Sequence, residues 1–292
     1  MRRPLALTFG EAAGIGPDIT LAAWLARGAL DVPPFYLVAD PAAVARRAKL
    51  LGLDVPLVET DASAAAAHFA RALPVVDCGA RTDAQPGAPD ASSAAAAVAS
   101  IRRAVADVIA GEAAAVVTNP IAKAALHRAG FNHPGHTEFL AELAAPPGAT
   151  PPMPIMMLWS LDLAVVPVTI HVSLRDAIAR LSTELIARTA RVVAADMRAR
   201  FAIASPRLAI CGLNPHAGEE GALGREEETI IAPAIASLRA EGIDAFGPLP
   251  ADSLFHEGAR RSYDCAICMY HDQALIPIKT LSFHDAVNVT LG

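Results

Sequence analysis

The chain has 292 residues, of which 53% are hydrophobic and 18% are charged, and its formal net charge at pH 7 is −6. This length suits one large domain or two closely joined ones, and the apolar content is enough for buried sheets. The absence of a basic run argues against a nucleic-acid partner. No apolar run approaches the ~20 residues that cross a bilayer, which argues against a membrane partner.

Strand-like and helix-like segments alternate along the first half of the chain. Helices are predicted from about Pro17, over a segment ending at Gly52, over an Ala-rich stretch, from Pro120, and over HTEFLAELA. The apolar runs between them are PLALTF, FYLVA, LPVVDCG and AAVVTN. The Pro/Gly-rich loop APPGATPPMP follows and is a candidate boundary between subdomains.

The second half continues the alternation. A helix is predicted from Thr183 to about Phe201, with Ser182 or Thr183 as its N-cap, and another over TIIAPAIASLRAEG. The strand-like runs are PIMMLWS, LAVVPVTI, RLAIC, DAFGPLP and DCAICMY. This pattern predicts an α/β protein with a largely parallel sheet. The chain ends directly after a strand-like run, so we expect further chain beyond Gly292.

The four cysteines are few for this length and fit a reducing compartment, so we expect a soluble, cytoplasmic protein. Cys265 and Cys268 form a C-x-x-C within an apolar run. No second pair accompanies them, so we interpret them as buried structural thiols.

Three histidines, His171, His216 and His271, each follow a short apolar run. In open α/β sheets, ligands collect at the carboxyl ends of the strands. Three imidazoles at strand ends are therefore a candidate metal site with three protein ligands. Their long separations exclude a local zinc finger and favour a site that the fold assembles. The alternative is that each ring caps a strand or bonds a backbone carbonyl.

A second candidate is the segment HPGHTEFLAEL, in which Gly135 permits a turn before His136 and Thr137. The free N–H groups at a helix N-terminus can bind a phosphate or carboxylate, and these two side chains would add donors. Simple N-capping by Thr137 is the alternative.

Polar residues also surround the third histidine in the sequence: Asp272, Lys279 and Asn288. Such groups can orient metal ligands, move protons or bind an anionic substrate, or they can belong to a solvated loop. Asp252 is a further isolated carboxylate. The segment FGEAAGIGPD matches neither the dinucleotide fingerprint nor the P-loop, and indicates only a tight turn after the first strand.

Several of these segments together resemble the 4-hydroxythreonine-4-phosphate dehydrogenase family of pyridoxal phosphate biosynthesis. The matching segments are AGIGPD, VTNPIAK, GHTEFLAEL, PVTIHVSLRD, GLNPHAGEEGALGREE, GPLPADSLF, and YHDQALIPIK with VNVTLG. They lie in family order over nearly the whole chain. The resemblance implies two α/β/α subdomains like those of isocitrate and isopropylmalate dehydrogenases, with the active site in the cleft between them. We expect residues 1–135 with 272–292 to form the first subdomain and residues 136–271 the second.

The resemblance also implies roles for individual residues. The divalent metal ligands (zinc, magnesium or cobalt) would be His171, His216 and His271, with the third supplied by the partner subunit of a homodimer. The substrate contacts would be His136, Thr137, Lys279 and Asn288, and a substrate-binding arginine would follow shortly after the last residue printed. We predict that Asp272 or Asp252 assists proton transfer.

The implied reaction is the NAD- or NADP-dependent oxidation of 4-phosphohydroxy-L-threonine, a small phosphorylated amino acid. The β-keto acid product would lose CO2 to give 3-amino-2-oxopropyl phosphate. Two alternatives stay open. One is a related dehydrogenase of another four-carbon phosphorylated hydroxy acid, such as threonate or erythronate phosphate. The other is a three-histidine metallohydrolase without nicotinamide, although no H-E-x-x-H motif is present.

Overall fold

A computed structural model describes residues 3–133, 136–146 and 148–292. The chain forms two compact units, Met1–Pro152 and Met153–Gly292. This division differs from the expected subdomains at both boundaries. The segment 136–144 is a helix that packs on a long helix of the first unit, and residues 272–292 pack within the second. The last strand pairs with a strand of the second unit through backbone hydrogen bonds, which is why it does not belong to the first.

The first unit contains a parallel sheet. Its strands are β1 (Leu5–Thr8), β2 (Phe35–Ala39), β3 (Leu57–Glu59), β4 (Leu73–Asp77) and β5 (Val116–Val117). Their order is β3-β4-β2-β1-β5, and every pair is parallel. The helices are α1 (Gly16–Leu25), α2 (Pro41–Leu50), α3 (Ala62–His68), α4 (Ala91–Ile109), α5 (Lys123–Arg128) and α6 (His136–Ala144). The helix predicted from Pro120 therefore begins three residues later.

Helices cover both faces of this sheet because alternate side chains of its central strands point to opposite sides. Leu37 packs in a cluster with residues of α1 and α2, whereas its neighbour Val38 packs with residues of α3 and α4. Asp90 caps α4 by accepting a hydrogen bond from the backbone N–H of Ser93 at 2.9 Å. The result is a three-layer unit in which the sheet is buried on both sides.

The strand order of the first unit reverses at β1, and open α/β sheets bind ligands at the carboxyl edge beside such a point. The loop that leaves β1 there is tightly packed. Gly10 has φ +66°, and a Cβ atom on it would lie 2.5 Å from the carbonyl oxygen of Pro120. The backbone N–H of Glu11 donates to the same carbonyl at 2.8 Å. Position 10 therefore accepts only a glycine.

The second unit contains a mixed sheet. Its strands are β6 (Ile155–Trp159), β7 (Ala164–Thr169), β8 (Leu208–Cys211), β9 (Ala245–Leu249), β10 (Cys265–Tyr270) and β11 (Val287–Leu291). Their order is β11-β6-β7-β10-β8-β9. The strands β7, β10, β8 and β9 are parallel, whereas β6 runs antiparallel to both of its neighbours.

The helices of the second unit also cover both faces of the sheet. They are α7 (Leu174–Arg180), α8 (Thr183–Arg200), α9 (Ala232–Ala240), α10 (Ala251–Leu254), α11 (Glu257–Arg260) and α12 (His271–Leu281). A π-helical turn, Glu227–Ile231, leads directly into α9. Ile267 packs with residues of α8 and α9, and Ala266 packs with residues of α12. The N-cap of α8 is Ser182, one of the two predicted.

All four cysteines are free, and Cys265 and Cys268 are fully buried, as the interpretation as structural thiols requires. Burial raises the pKa of both thiols. Within the part of the chain that the structure describes, no helix combines the length and apolar character of a membrane span.

Candidate active site at the carboxyl edge of the second sheet

The strand order brings all three histidines to one edge of the second sheet. The strands β7, β10 and β8 are parallel neighbours, so their carboxyl ends lie side by side. His171 follows β7 by two residues, His271 follows β10 directly as the first residue of α12, and His216 lies in the loop after β8. The placement of the histidines at strand ends is thus confirmed.

Two of the histidines face each other across one cavity. The ring centroids of His171 and His271 are 5.6 Å apart, and both rings line a cavity of about 200 Å³ together with Asp272. The Nδ1 atom of His271 lies 2.7 Å from Oδ1 of Asp272. Because an ionised carboxylate only accepts, Nδ1 carries a proton in this pair, and in the neutral form of the ring the lone pair is on Nε2. Such a partner fixes the tautomer of a metal-binding imidazole.

The donor chemistry of this edge fits a divalent metal, although the described residues bring together only two of the three histidines. The separation of the two rings suits two nitrogens that share one ion at about 2.0–2.1 Å each. However, residues 3–133, 136–146 and 148–292 contain no cluster of three His, Cys, Asp or Glu side chains that could hold a metal ion. A three-histidine site therefore requires a donor beyond the pair that faces this cavity.

The backbone around the remaining histidine is unusual. His216 and the five residues after it all have positive φ values, from 45° to 90°, and form a left-handed turn within Pro215–Gly221. Each non-glycine residue in this conformation costs about 1–2 kcal/mol. His171 shares this feature, with φ 52°. Strained residues of this kind collect at functional sites, where the surrounding structure holds them in place.

Lys279 lines a second cavity of about 350 Å³ that also includes His271 and Asp272. The spacing of His271, Leu275 and Lys279 places them along one face of α12. Eight residues of helix rise about 12 Å, so the ammonium group can reach one end of a short substrate whose other end lies near the imidazole. This geometry is compatible with the predicted substrate contact.

Asn288 and Asp252 lie farther along the sheet. Asn288 is exposed on the edge strand β11, three strand spacings from β10, or about 14 Å. Asp252 is exposed in α10, directly after β9, and α10 packs against the left-handed turn. Neither residue lines the two cavities, whereas Asp272 lines both and lies beside the ring of His271.

His136 and Thr137 belong to the first unit, at the start of α6. Thr137 lies within the helix, so it is not the cap. The Nε2 atom of His136 is buried and has no hydrogen-bond partner among the residues described. Burial lowers the pKa of His136, and the nearby charge of Lys123 lowers it further. The turn predicted at Gly135 lies outside the described residues.

This lowered pKa predicts a pH dependence of stability. In the unfolded chain His136 takes up a proton near its ordinary pKa of 6.5, whereas in the folded chain it does so only at a lower pH. The free energy of unfolding therefore falls as the pH drops from 6.5 towards the folded-state pKa. We expect the stability of H136N to fall less than that of the wild type below pH 6.5, measured as melting temperature against pH. A profile identical to that of the wild type would contradict the prediction.

One residue that the sequence interpretation missed ties the site together. Gln273 is buried; its Oε1 accepts a hydrogen bond from the backbone N–H of Met269 at 2.7 Å, and its Nε2 donates to the carbonyl of Gly212 at 2.8 Å. The side chain thus joins the ends of β10 and β8, from which two of the histidines extend. An amide within an apolar helix face was the only available signal.

Together, the parallel strands and the histidine-lined cavity at their carboxyl ends define an α/β enzyme with a polar site at a sheet edge. Residues 31–292 match the family model described as pyridoxal phosphate biosynthetic protein PdxA. A 4-hydroxythreonine-4-phosphate dehydrogenase from Bradyrhizobium diazoefficiens is 66% identical over 99% of this chain and 86% of its own. The chain belongs to the PdxA family, as the resemblance predicted, and it is an enzyme whose relatives are dehydrogenases.

Solved structures agree with this assignment. A 4-hydroxythreonine-4-phosphate dehydrogenase from Burkholderia phymatum has a TM-score of 0.88 and 34% identity, over 100% of this chain and 87% of that chain. A terephthalate 1,2-cis-dihydrodiol dehydrogenase from Burkholderia xenovorans has a TM-score of 0.70 and 27% identity, over 100% of this chain and 87% of that chain. The predicted α/β fold class is confirmed.

Proposed function

We propose that this enzyme oxidises 4-phosphohydroxy-L-threonine with NAD or NADP in pyridoxal 5′-phosphate biosynthesis. The product is a β-keto acid, which loses CO2 to give 3-amino-2-oxopropyl phosphate. The observation that carries the proposal is the 66% identity, over 99% of the chain, to a 4-hydroxythreonine-4-phosphate dehydrogenase. This relationship does not support the metallohydrolase alternative.

The proposal includes a divalent metal, zinc, magnesium or cobalt, held by His171, His216 and His271. The metal and the nicotinamide supply, when bound, a Lewis acid that makes an alcohol more acidic and an acceptor for hydride. In this proposal Asp272 holds the proton on Nδ1 of His271 and so keeps Nε2 free to coordinate. Neutral imidazoles leave the positive charge of the metal uncompensated, which suits a substrate with phosphate and carboxylate groups.

The remaining roles concern the substrate. In the proposed arrangement the ammonium group of Lys279 binds the phosphate or carboxylate group, and Asn288, His136 and Thr137 are further substrate contacts. Because His136 has a lowered pKa, it would be neutral near pH 7 and could donate one N–H to a substrate oxygen without adding charge. Its unpartnered buried nitrogen, noted among the described residues, supports this role.

We further propose a cytoplasmic homodimer in which each metal site binds His271 of the partner subunit. The incomplete set of metal donors in the described part of one chain supports the sharing. The four free cysteines support a reducing compartment.

The reaction is tested by following NADH or NADPH absorbance with 4-phosphohydroxy-L-threonine, with and without a chelator. We expect substrate-dependent formation of the reduced cofactor that the chelator abolishes and added Zn²⁺, Mg²⁺ or Co²⁺ restores. No signal with either cofactor after metal loading would overturn the proposal, and a signal that the chelator leaves unchanged would remove the metal from it.

The carboxylate assignments predict unequal effects. Asp272 lies beside His271 in the first cavity, whereas Asp252 is exposed and lines neither cavity. We expect D272N to lower kcat by about 10–100-fold, because the amide no longer fixes the imidazole tautomer. The matched variant D252N should have the smaller effect. Unchanged turnover in D272N would remove Asp272 from the mechanism.

A different substrate is the second candidate. The dehydrogenase of a terephthalate dihydrodiol shares this fold at 27% identity, so the fold accepts more than one alcohol. The same assay with threonate and erythronate phosphates separates the candidates. A higher kcat/KM with either of these than with 4-phosphohydroxy-L-threonine would assign the enzyme to the four-carbon acids.

A further inference from the structure

We propose that Glu227 is a positioning residue that holds His216 in its left-handed turn and thereby presents this imidazole to the metal. The inference rests on the proposed function, because it assumes that His216 binds the metal. Glu227 lies in the π-helical turn before α9 and is 4% exposed. It is the last residue of the matching segment GLNPHAGEEGALGREE, but the sequence indicated no role for it. Its role is argued from what its carboxylate contacts.

The carboxylate binds the segment that enters the left-handed turn. Oε1 of Glu227 accepts hydrogen bonds from the backbone N–H groups of Leu213 and Asn214, both at 2.7 Å. Its Oε2 accepts a further bond from Nδ2 of the Asn214 side chain at 2.9 Å. Three donors from two consecutive residues therefore converge on one carboxylate, directly before Pro215 and His216.

The backbone in the middle of the turn packs against the same carboxylate. A Cβ atom added to Gly218 would lie 2.6 Å from Oε2 of Glu227, so the backbone approaches the carboxylate as closely as a glycine allows. A Cβ atom added to Gly212 would lie 3.2 Å from Oε1 and 2.8 Å from the Cα atom of Ala217. His216 thus lies between two backbone segments that both contact Glu227.

The ionised form of this side chain is favoured. Burial by itself would raise the pKa of Glu227, but the hydrogen bonds from Asn214 and Leu213 hold the pKa below its ordinary value. A buried carboxylate that accepts three hydrogen bonds is a firm anchor, because every displacement leaves donors without partners. The strain of six consecutive positive φ values is thereby maintained without a ligand.

The test measures Co²⁺ binding alone, by the visible absorption of the bound ion, in the full chain. In E227Q the amide oxygen can still accept from the backbone of Leu213 and Asn214, but its NH2 group would face Nδ2 of Asn214, donor against donor. The anchor therefore loses its charge and one of its three hydrogen bonds. We expect the Co²⁺ dissociation constant to rise by about 10–100-fold, the usual effect of losing a residue that supports a ligand. The absorption spectrum should change in shape, because His216 no longer holds its position.

A double-mutant cycle separates positioning from general stability. If Glu227 acts through His216, E227Q should have no further effect on Co²⁺ affinity in an H216A background. Equal weakening in both backgrounds would overturn the proposal, as would unchanged affinity in E227Q alone. If E227Q does not fold by circular dichroism, G218A replaces it, because its new Cβ atom displaces the same carboxylate from the other side.

The matched control is D264N. Asp264 also accepts a backbone hydrogen bond, from Arg207 at 2.8 Å, and hydrogen bonds lower its pKa as well, but it precedes β10 at the opposite edge of the sheet. The Co²⁺ affinity of D264N should equal that of the wild type. If H216A itself leaves the affinity unchanged, metal binding at His216 fails, and the inference fails with it. If H216A weakens binding and E227Q does not, only the inference fails.

Discussion

A mixture of two inactive variants, H171A and H271A, is expected to regain about a quarter of the wild-type activity if the metal site is shared between subunits of a two-fold dimer. Each shared site takes His171 from one chain and His271 from the other. A mixed dimer therefore contains one site with both substitutions and one intact site. Half of the dimers are mixed after random exchange, which gives the expected recovery.

The experiment distinguishes this shared site from a second arrangement, in which the metal site lies within a single subunit. The rings of His171 and His271 of the same chain are only 5.6 Å apart, and they could be two ligands of one ion within a single subunit. In that case every site of a mixed dimer lacks one ligand, and no activity returns. The two arrangements thus predict about a quarter of the activity and none.

The control for subunit exchange is a mixture of H171A with H216A. In the proposed arrangement both of these histidines come from the same chain, so no site in a mixed dimer is intact and no recovery is expected. Recovery with H271A but not with H216A would support the shared site. Recovery with H216A and not with H271A would show that the histidines are grouped differently between the two chains. Assays would follow brief unfolding and refolding of the mixed chains, with wild type treated in parallel.

Much of the site was predictable from the sequence because its positions follow from local patterns. Each histidine comes after an apolar run, and such runs form the buried parallel strands β7, β8 and β10. Once neighbouring strands are parallel, their carboxyl ends lie at one edge whatever the loops do. The strand-end histidines therefore needed no knowledge of tertiary contacts to be found.

The features that were missed depend on contacts between residues distant in sequence. The left-handed turn at His216 has no local signature strong enough to override the cost of positive φ, and the carboxylate that contacts it comes from Glu227, after the loop. The compact units differ from the expected subdomains for the same reason. The partner of β11 is β6, more than a hundred residues earlier, and strand partners cannot be read from the hydrophobic pattern of either strand.

Substituting alanine for Gly10 is expected to destabilise the first unit by roughly 2–5 kcal/mol, the sum of a left-handed backbone and an overpacked contact. The new Cβ atom would lie 2.5 Å from the carbonyl oxygen of Pro120 and 2.7 Å from the Cβ atom of Asn119. Both are held by the fold: the Asn119 amide donates to the carbonyl of Thr8 at 2.9 Å, and the Pro120 carbonyl accepts from Glu11. Neither can move without breaking the loop at the carboxyl ends of β1 and β5.

Gly52 provides the matched control for this substitution. Its φ is +65°, nearly the same as the +66° of Gly10, but a Cβ atom on it meets nothing within 4 Å. The variant G52A therefore reports the backbone cost alone, which we expect to be about 1–2 kcal/mol. Urea unfolding of the two variants separates the two contributions. Equal destabilisation by G10A and G52A would show that the close approach at β1 does not constrain the loop, and that backbone conformation alone explains the glycine.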